Sequence, residues 1–435
     1  MMRNHKLLLG LALAVLFMAS CKKEETFSQN TYDEYVRSIF PVKNFDNTYQ
    51  QWASIGFATA RITINGTPSE EYQVGIYLEN PKNNNKVTKL YEGKISSTSS
   101  STRLNTAIPF LLAQPSVWVM VVNSEKHYVI QKAAINYIEP NYILNTTITW
   151  STETSTATKQ LPSEASPFAF RYLFEEDFPD AGDFDYNDCV ITVIPEIAAD
   201  NAKKVTLTVR AEAAGAQKTL GAGLRLVGIT DGLIESKVCT QQLPAPPANL
   251  GEYKNIPDGD FTKSNTDQSS LVLLLCKDMH WVMNPVEGTN GGITRQPYNT
   301  RREGERVAVK EAKYEFVFKS EATARNMMNQ EIYDCFIVEP YNGSFWEVHT
   351  VQNGRKGDLV LHYDVHGKTY QEYLNAYVNS GVGKVTWALL VPGTVAYPYE
   401  GIRITAAYNQ FEGWGQNMNN NTQWYLYPTF GNVWQ

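Results

Sequence analysis

Seven carboxylates crowd fourteen consecutive residues: Glu175, Glu176, Asp177, Asp180, Asp183, Asp185 and Asp188, with no Lys or Arg among them. Like charges held this close either raise one another's pKa or recruit a cation. The sharpest stretch is Asp183-Phe184-Asp185-Tyr186-Asn187-Asp188. Strand-like alternation sends Asp183, Asp185 and Asn187 one way and presses Phe184 and Tyr186 into apolar neighbours. Hard oxygen ligands at every second position can open a Ca²⁺ site, which takes about 6 to 8 oxygens. An EF-hand loop also starts D-x-D-x-N, but its sixth position here is Asp188 in place of Gly and its twelfth is Ile194 in place of Glu. The expectation is therefore a different loop-type calcium site, with Asp183, Asp185, Asn187 and Asp188 as ligands and Asp177 and Asp180 beside them. The competing role is turn shaping, in which Asp and Asn side chains hydrogen-bond their own backbone and bind nothing else.

Other constellations carry less. His362, Asp364 and His366 share one face of a would-be strand and offer two imidazoles and a carboxylate to a transition metal. No fourth ligand can be named, so the wet face of an ordinary strand is the favoured reading. Trp414, Trp424 and Tyr425 flank the Asn-rich run 417–421 and form the best candidate platform for stacking on a glycan. Trp414 also lies on an apolar helical stripe, so core packing competes with that role. G-x-S-x-G, H-E-x-x-H and Walker loops are all missing. A glycosidase pair of carboxylates distant in sequence would leave no motif, and nothing singles one out. The leading expectation is a non-enzymatic binding or assembly protein. A glycan-binding protein of a carbohydrate-uptake system comes second, and a polysaccharide or protein hydrolase third.

The N-terminus reads as an address. Arg3, His5 and Lys6 precede an apolar run from Leu7 to Phe17, a signal-peptide core far shorter than the ~20 residues of a spanning helix. Met18-Ala19-Ser20-Cys21 resembles the lipobox of bacterial lipoproteins, which implies cleavage before Cys21 and acyl chains on it. Several acyl chains, at about 0.8 kcal/mol per buried CH₂, anchor a protein firmly. Lys22-Lys23-Glu24-Glu25 resembles the surface-export signal of Bacteroidetes-type lipoproteins, so the expected location is the outer membrane, lipid-anchored and facing outward. The net charge of −7 shows no basic excess, which excludes nucleic acid as a partner and leaves a glycan or surface protein. Cys189, Cys239, Cys276 and Cys335 remain after the lipid anchor; three disulfide pairings are open and spacing does not choose among them.

The elements that would position these residues are strands. Aromatics make up 12% of the 435 residues, a composition that suits pleated sheet. Period-two alternation marks 60–66, 72–78 and 143–148, and 117–122 is apolar throughout. Phe168 to Phe174, Val205 to Ala211, Tyr314 to Phe318 and Val385 to Val391 repeat the alternation further on. Ser, Thr and Pro dominate 151–167. The expected order is a signal peptide (1–20), a tether (21–40), an Ig-like β-sandwich (41–150), a Ser/Thr/Pro linker (151–167) and a larger β-sandwich or jelly roll (168–435). A helix is expected at 370–378, and Ile404, Ala407, Tyr408, Phe411 and Trp414 are spaced for one helix face with Gly415 as its stop.

Several motifs in the second domain occur in a familiar order. Phe174-Glu175-Glu176-Asp177 and Gly182-Asp183-Phe184-Asp185-Tyr186-Asn187-Asp188-Cys189-Val190 resemble the signature of LruC-domain proteins. Gly221-Ala222-Gly223-Leu224-Arg225-Leu226, Trp387-Ala388-Leu389-Leu390-Val391-Pro392, Tyr397-Pro398 with Glu400, Ile404, Tyr408, Phe411, Trp414 and Trp424-Tyr425 are similar to its later motifs. The resemblance spans 168–435, and the sandwich before it looks like the domain that often precedes an LruC domain. It implies a surface or outer-membrane lipoprotein of no established activity, with the calcium reading carried onto Asp183, Asp185, Asn187 and Asp188. After about residue 355 the chain departs from the pattern: Leu361-His362-Tyr363-Asp364-Val365-His366-Gly367 stands where a His-Leu-Pro-Gly-Tyr-like stretch belongs.

Overall fold

The computed structural model describes residues 53–65, 71–96, 101–150, 158–175, 183–215, 218–246, 262–263, 270–286, 295–341, 344–349, 359–361 and 388–434. The expected signal peptide, tether, lipidated Cys21, helix at 370–378 and His362-Asp364-His366 face lie outside these residues.

The architecture is mainly β, as expected. The N-terminal part consists of β1 (Ile55–Asn65), β2 (Glu71–Tyr77), β3 (Thr88–Ser96), β4 (Ser101–Leu111), β5 (Ser116–Val122), β6 (Tyr128–Ile138) and β7 (Asn141–Thr149), with the two-residue β8 (Ser166–Pro167) at one edge. The strand order is β4-β1-β7-β6-β5-β2-β3-β8. β6 pairs with β5 up to Ala134 and with β7 from Ile135 onward, so the sheet folds over along this strand. Ala58, Ala60, Ile62 and Ile64 of β1 and Tyr72, Val74 and Ile76 of β2 fill one core, while Arg61 points to water. Each Ile or Val among them contributes about 1.5–3 kcal/mol on burial, which fixes the register because a one-residue slip would invert every face. The Ser/Thr/Pro segment is not all spacer. Leu161 and Ala165 pack on a small cluster of Tyr77, Val87, Met120 and Val122, and β8 pairs parallel with β3.

The larger part is built from two six-stranded sheets. One contains β9 (Phe170–Phe174), β10 (Cys189–Ile197), β11 (Lys204–Ala213), β13 (Ile234–Gln241), β16 (Lys310–Phe318) and β20 (Ala388–Pro392). The other contains β12 (Gly221–Leu226), β14 (Thr262–Lys263), β15 (Leu271–Cys276), β17 (Tyr333–Tyr341), β18 (Ser344–His349) and β19 (Leu359–Leu361). The sheets meet where the Tyr172 hydroxyl donates to the Tyr333 carbonyl at 3.0 Å and the Phe170 and Tyr333 rings lie 5.7 Å apart. β10, β12 and β20 are buried along nearly their whole length, and the one charge inside β12, Arg225, is buried in an ion pair with Asp334.

The two parts share one hydrophobic core, running from Ile55 and Phe110 through Phe168 to Tyr408 and Trp424. The Ser54 amide donates to the Leu390 carbonyl at 3.0 Å, and Lys89 reaches Glu196 at 2.8 Å. The stripe from Ile404 to Trp414 forms two short helices in place of the expected one, Ile404–Ala407 and Phe411–Gln416. Tyr408 adopts an extended conformation (φ −136°, ψ 94°) that ends the first helix, and the second runs through Gly415.

Candidate metal centre

β9 and β10 are antiparallel neighbours, with Phe174 opposite Cys189. The acidic segment is the connection between them, so pairing of the two strands brings its ends together. Glu175 follows the last residue of β9, and Asp183 to Asp188 lead into β10. Phe184 and Tyr186 are fully buried, as expected, but the segment is not extended. Both residues sit at positive φ, 57° and 54°. That region costs an L-residue about 1–2 kcal/mol, which burial of the two rings offsets.

This turn carries Asp185 and Asn187 into the interior, both with no exposed surface. Carboxylate oxygens of Glu175, Asp183 and Asp185 all lie within 4.8 Å of one another. Oxygens bound to one Ca²⁺ at about 2.3–2.6 Å can be separated by at most about twice that distance, so the spacing suits a shared ion. Without a cation, each such pair of negative charges repels by ~3.5 kcal/mol at an effective dielectric of about 20. Burial first, then the charges of Glu175, Asp183 and Glu400, push the Asp185 carboxyl well above the usual range. The Gly401 amide, donating to Asp185 Oδ2 at 2.7 Å, opposes the rise.

The far wall comes from a segment more than two hundred residues away. The Asn187 amide group donates to the Pro398 carbonyl at 3.2 Å, and the Ile404 amide donates to the Phe184 carbonyl at 2.8 Å. Glu400 is held by Thr300, whose hydroxyl donates to Glu400 Oε2 at 3.2 Å. Gly401 has φ +71°, a conformation that favours glycine, and lies in van der Waals reach of Asp183 Oδ2. Gly215 allows a close approach, since a Cβ there would stand 2.2 Å from Asn187 Oδ1. That oxygen is buried with no hydrogen-bond partner among the described residues.

Of the predicted ligands, Asp183 and Asp185 join the cluster. Asn187 and Asp188 are buried beside it but are not among the three clustered carboxylates, and Asp177 and Asp180 lie outside the described residues. Asn187 donates its amide nitrogen to Pro398, which leaves its buried Oδ1, the atom that could ligate a cation, without a hydrogen-bond partner among the described residues. Glu175 and Glu400 were missed. Glu175 stands first in the acidic run and in the Phe174-Glu175-Glu176-Asp177 motif without being singled out as a ligand, and Glu400 is visible only through the motif that it shares with Tyr397 and Pro398. Part of the turn-shaping role is also present: the Asn187 amide donates to Asp185 Oδ1 at 3.2 Å and the Tyr186 amide to Glu175 Oε2 at 3.2 Å.

The aromatic glycan platform is corrected. Trp424 is fully buried, Trp414 is 2% exposed and Tyr425 is 5% exposed. Trp424 packs edge-on against Phe411 at 4.9 Å and Tyr408 at 5.0 Å, so no ring face is left for a sugar. Cys189, Cys276 and Cys335 are buried thiols with no disulfide. Burial pushes the Cys276 thiol up to about 12 and the other two well above their usual value, so all three are unionised near neutral pH.

Among the described residues, no helix is long and apolar enough to cross a membrane. No curated protein matches the sequence significantly. Among solved structures, that of "a Putative lipoprotein from Bacteroides ovatus" matches with a TM-score of 0.52 and 12% identity, covering 83% of this chain and 98% of that one. At that identity the likeness concerns the fold. The full-length major pilin SpaD from Corynebacterium diphtheriae aligns at 12% identity over 70% of this chain and 65% of that one, with a TM-score of 0.15 that carries no argument. A family model described as "Domain of unknown function (DUF4842)" matches residues 200–425, more than half of the chain, and the protein belongs to that family.

Proposed function

We propose that this is a lipid-anchored, non-enzymatic protein of the outer cell surface, whose larger β domain is stiffened by one Ca²⁺ and whose work is binding or assembly. The observation that carries the cation is the convergence of Glu175, Asp183 and Asp185 oxygens within 4.8 Å in a largely buried turn. These three carboxylates would hold the ion, with Glu400 close enough to act on Asp185 and main-chain carbonyls and water completing the shell of about 6 to 8 oxygens. An all-oxygen, carboxylate-rich donor set selects a hard cation over zinc or copper. The ion would join the β9–β10 connection to the 398–404 segment, which the Gly401 and Ile404 amides already bridge. Lipid anchoring is supported by Met18-Ala19-Ser20-Cys21 and by the likeness in fold to a putative lipoprotein from Bacteroides ovatus. The LruC resemblance of 168–435 agrees with a surface role.

A ligand at a hundred times its Kd adds about 2.7 kcal/mol, so millimolar Ca²⁺ is expected to raise Tm by several degrees over protein in EDTA. Asp185→Asn is expected to abolish most of that rise. Scanning calorimetry that finds equal Tm values with Ca²⁺ and with EDTA would remove the cation from the account.

A further inference from the structure

A cleft of about 520 Å³ opens where the N-terminal sheet meets the larger domain, far in sequence from the acidic turn. Its size falls within the ~300–1,000 Å³ of small-molecule sites. One wall is the end of the β6–β7 hairpin, where Tyr137 and Tyr142 stand directly opposite each other across the strands. Tyr142 is propped edge-on by Phe110 at 5.0 Å, and Tyr137 leans on Tyr142 at 5.0 Å while remaining 59% exposed. The cleft is also lined by Gln330 and Glu331 of the short 3₁₀ turn Gln330–Ile332 and by its cap residue Asn329. Asn329 Oδ1 is used up in accepting the Glu331 amide at 2.9 Å, which holds the turn in shape.

The polar groups of that turn are short of partners. Gln330 is 7% exposed, and its Oε1 has no hydrogen-bond partner among the described residues. A half-turn of the amide exchanges its oxygen and nitrogen with almost no change in shape, so Gln330 can present either a donor or an acceptor. The Glu331 carboxylate also lines the cleft and has no hydrogen bond or ion pair among the described residues. The cleft thus joins a supported, exposed aromatic ring to a half-exposed carboxylate and to an amide whose oxygen is shielded and unpartnered.

We infer that this junction cleft binds a neutral saccharide, one or two rings long, with the apolar C–H face of a sugar on Tyr137 and its hydroxyls on the Glu331 carboxylate and on the Gln330 amide once that side chain turns toward the cleft. Stacking suits the exposed ring, and hydroxyls satisfy donors and acceptors alike without bringing a charge. An anionic ligand is disfavoured by Glu331 and by the net charge of −7. The inference deepens the binding role proposed above and rests on that role, not on the cation.

The test is saturation-transfer NMR and titration calorimetry on the full chain in detergent. The probes are maltose, cellobiose, mannobiose, galactobiose and xylobiose at millimolar concentration, with trilysine as the cationic comparison. At least one disaccharide is expected to bind. Tyr137→Ala is expected to weaken it by about tenfold, the loss of one stacking partner, with Tm unchanged because the ring is exposed. Glu331→Gln keeps the shape and is expected to weaken binding severalfold. Binding of trilysine in place of every sugar, silence from all five disaccharides, or full binding in Tyr137→Ala would each overturn the assignment. The calcium-induced rise in Tm is read on the same samples. Sugar silence with that rise intact defeats the cleft alone, and loss of the rise with sugar binding intact defeats the cation alone.

Discussion

Asp185 is the residue on which the proposed cation centre turns. Its carboxyl is fully buried, surrounded by the charges of Glu175, Asp183 and Glu400, and relieved by one close amide from Gly401. Because its folded pKa is raised, its share of stability is complete below the unfolded value near 4 and is lost as pH rises through the folded value. In EDTA, the wild type is therefore expected to lose stability relative to Asp185→Asn as pH rises from acid to neutral, by up to ~1.4 kcal/mol for each pH unit over which the buried carboxyl resists ionisation. With Ca²⁺ present the difference is expected to reverse, since the ion repays the ionised form. Urea melts of both proteins across that range check it; parallel curves in EDTA would show that Asp185 is not strained by its neighbours. The sequence disclosed Asp183 and Asp185 because they lie two apart on one strip of chain. It concealed Glu400 and Gly401, since nothing local to Asp185 indicates which segment 216 residues away will donate to it.

At the scale of elements, strands were readable wherever one face is wet. β1, β11 and β16 alternate cleanly because each has an outward row, and their buried residues are the expected ones. The Ile404–Trp414 stripe misled only in its continuity: its apolar residues do share one core, but Tyr408 breaks the helix to send its hydroxyl to the Ala396 carbonyl. The same aromatic knot settles the role of Trp424. Burial with edge contacts to Phe411 and Tyr408 predicts that Trp424→Ala costs about 3–5 kcal/mol. The indole N–H has no hydrogen-bond partner among the described residues, so Trp424→Phe is expected to cost clearly less than Trp424→Ala. Chemical denaturation ranks the two variants. Equal and negligible losses would mean that the knot does not hold the C-terminal segment.

The whole molecule joins two β parts through a common core and, on the reading of its first residues, hangs from a lipid. Composition places a linker at 151–167 and gives no hint that Leu161, Ala165 and β8 would be absorbed into the N-terminal sandwich, because polar residues and Pro surround them and pairing partners are set by the fold. Anchoring is a property of the entire chain in its cell. Cys21→Ser is expected to abolish incorporation of labelled palmitate and to move the protein out of the membrane fraction; unchanged labelling would place the lipid elsewhere or nowhere. The cation, too, is counted per molecule. Calorimetric titration of CaCl₂ into EDTA-stripped, desalted protein near pH 7.5 is predicted to give one ion per chain for the wild type and no measurable heat for the Glu175→Gln, Asp185→Asn double variant. Absence of binding to the wild type, or one ion still bound by the double variant, would contradict the account.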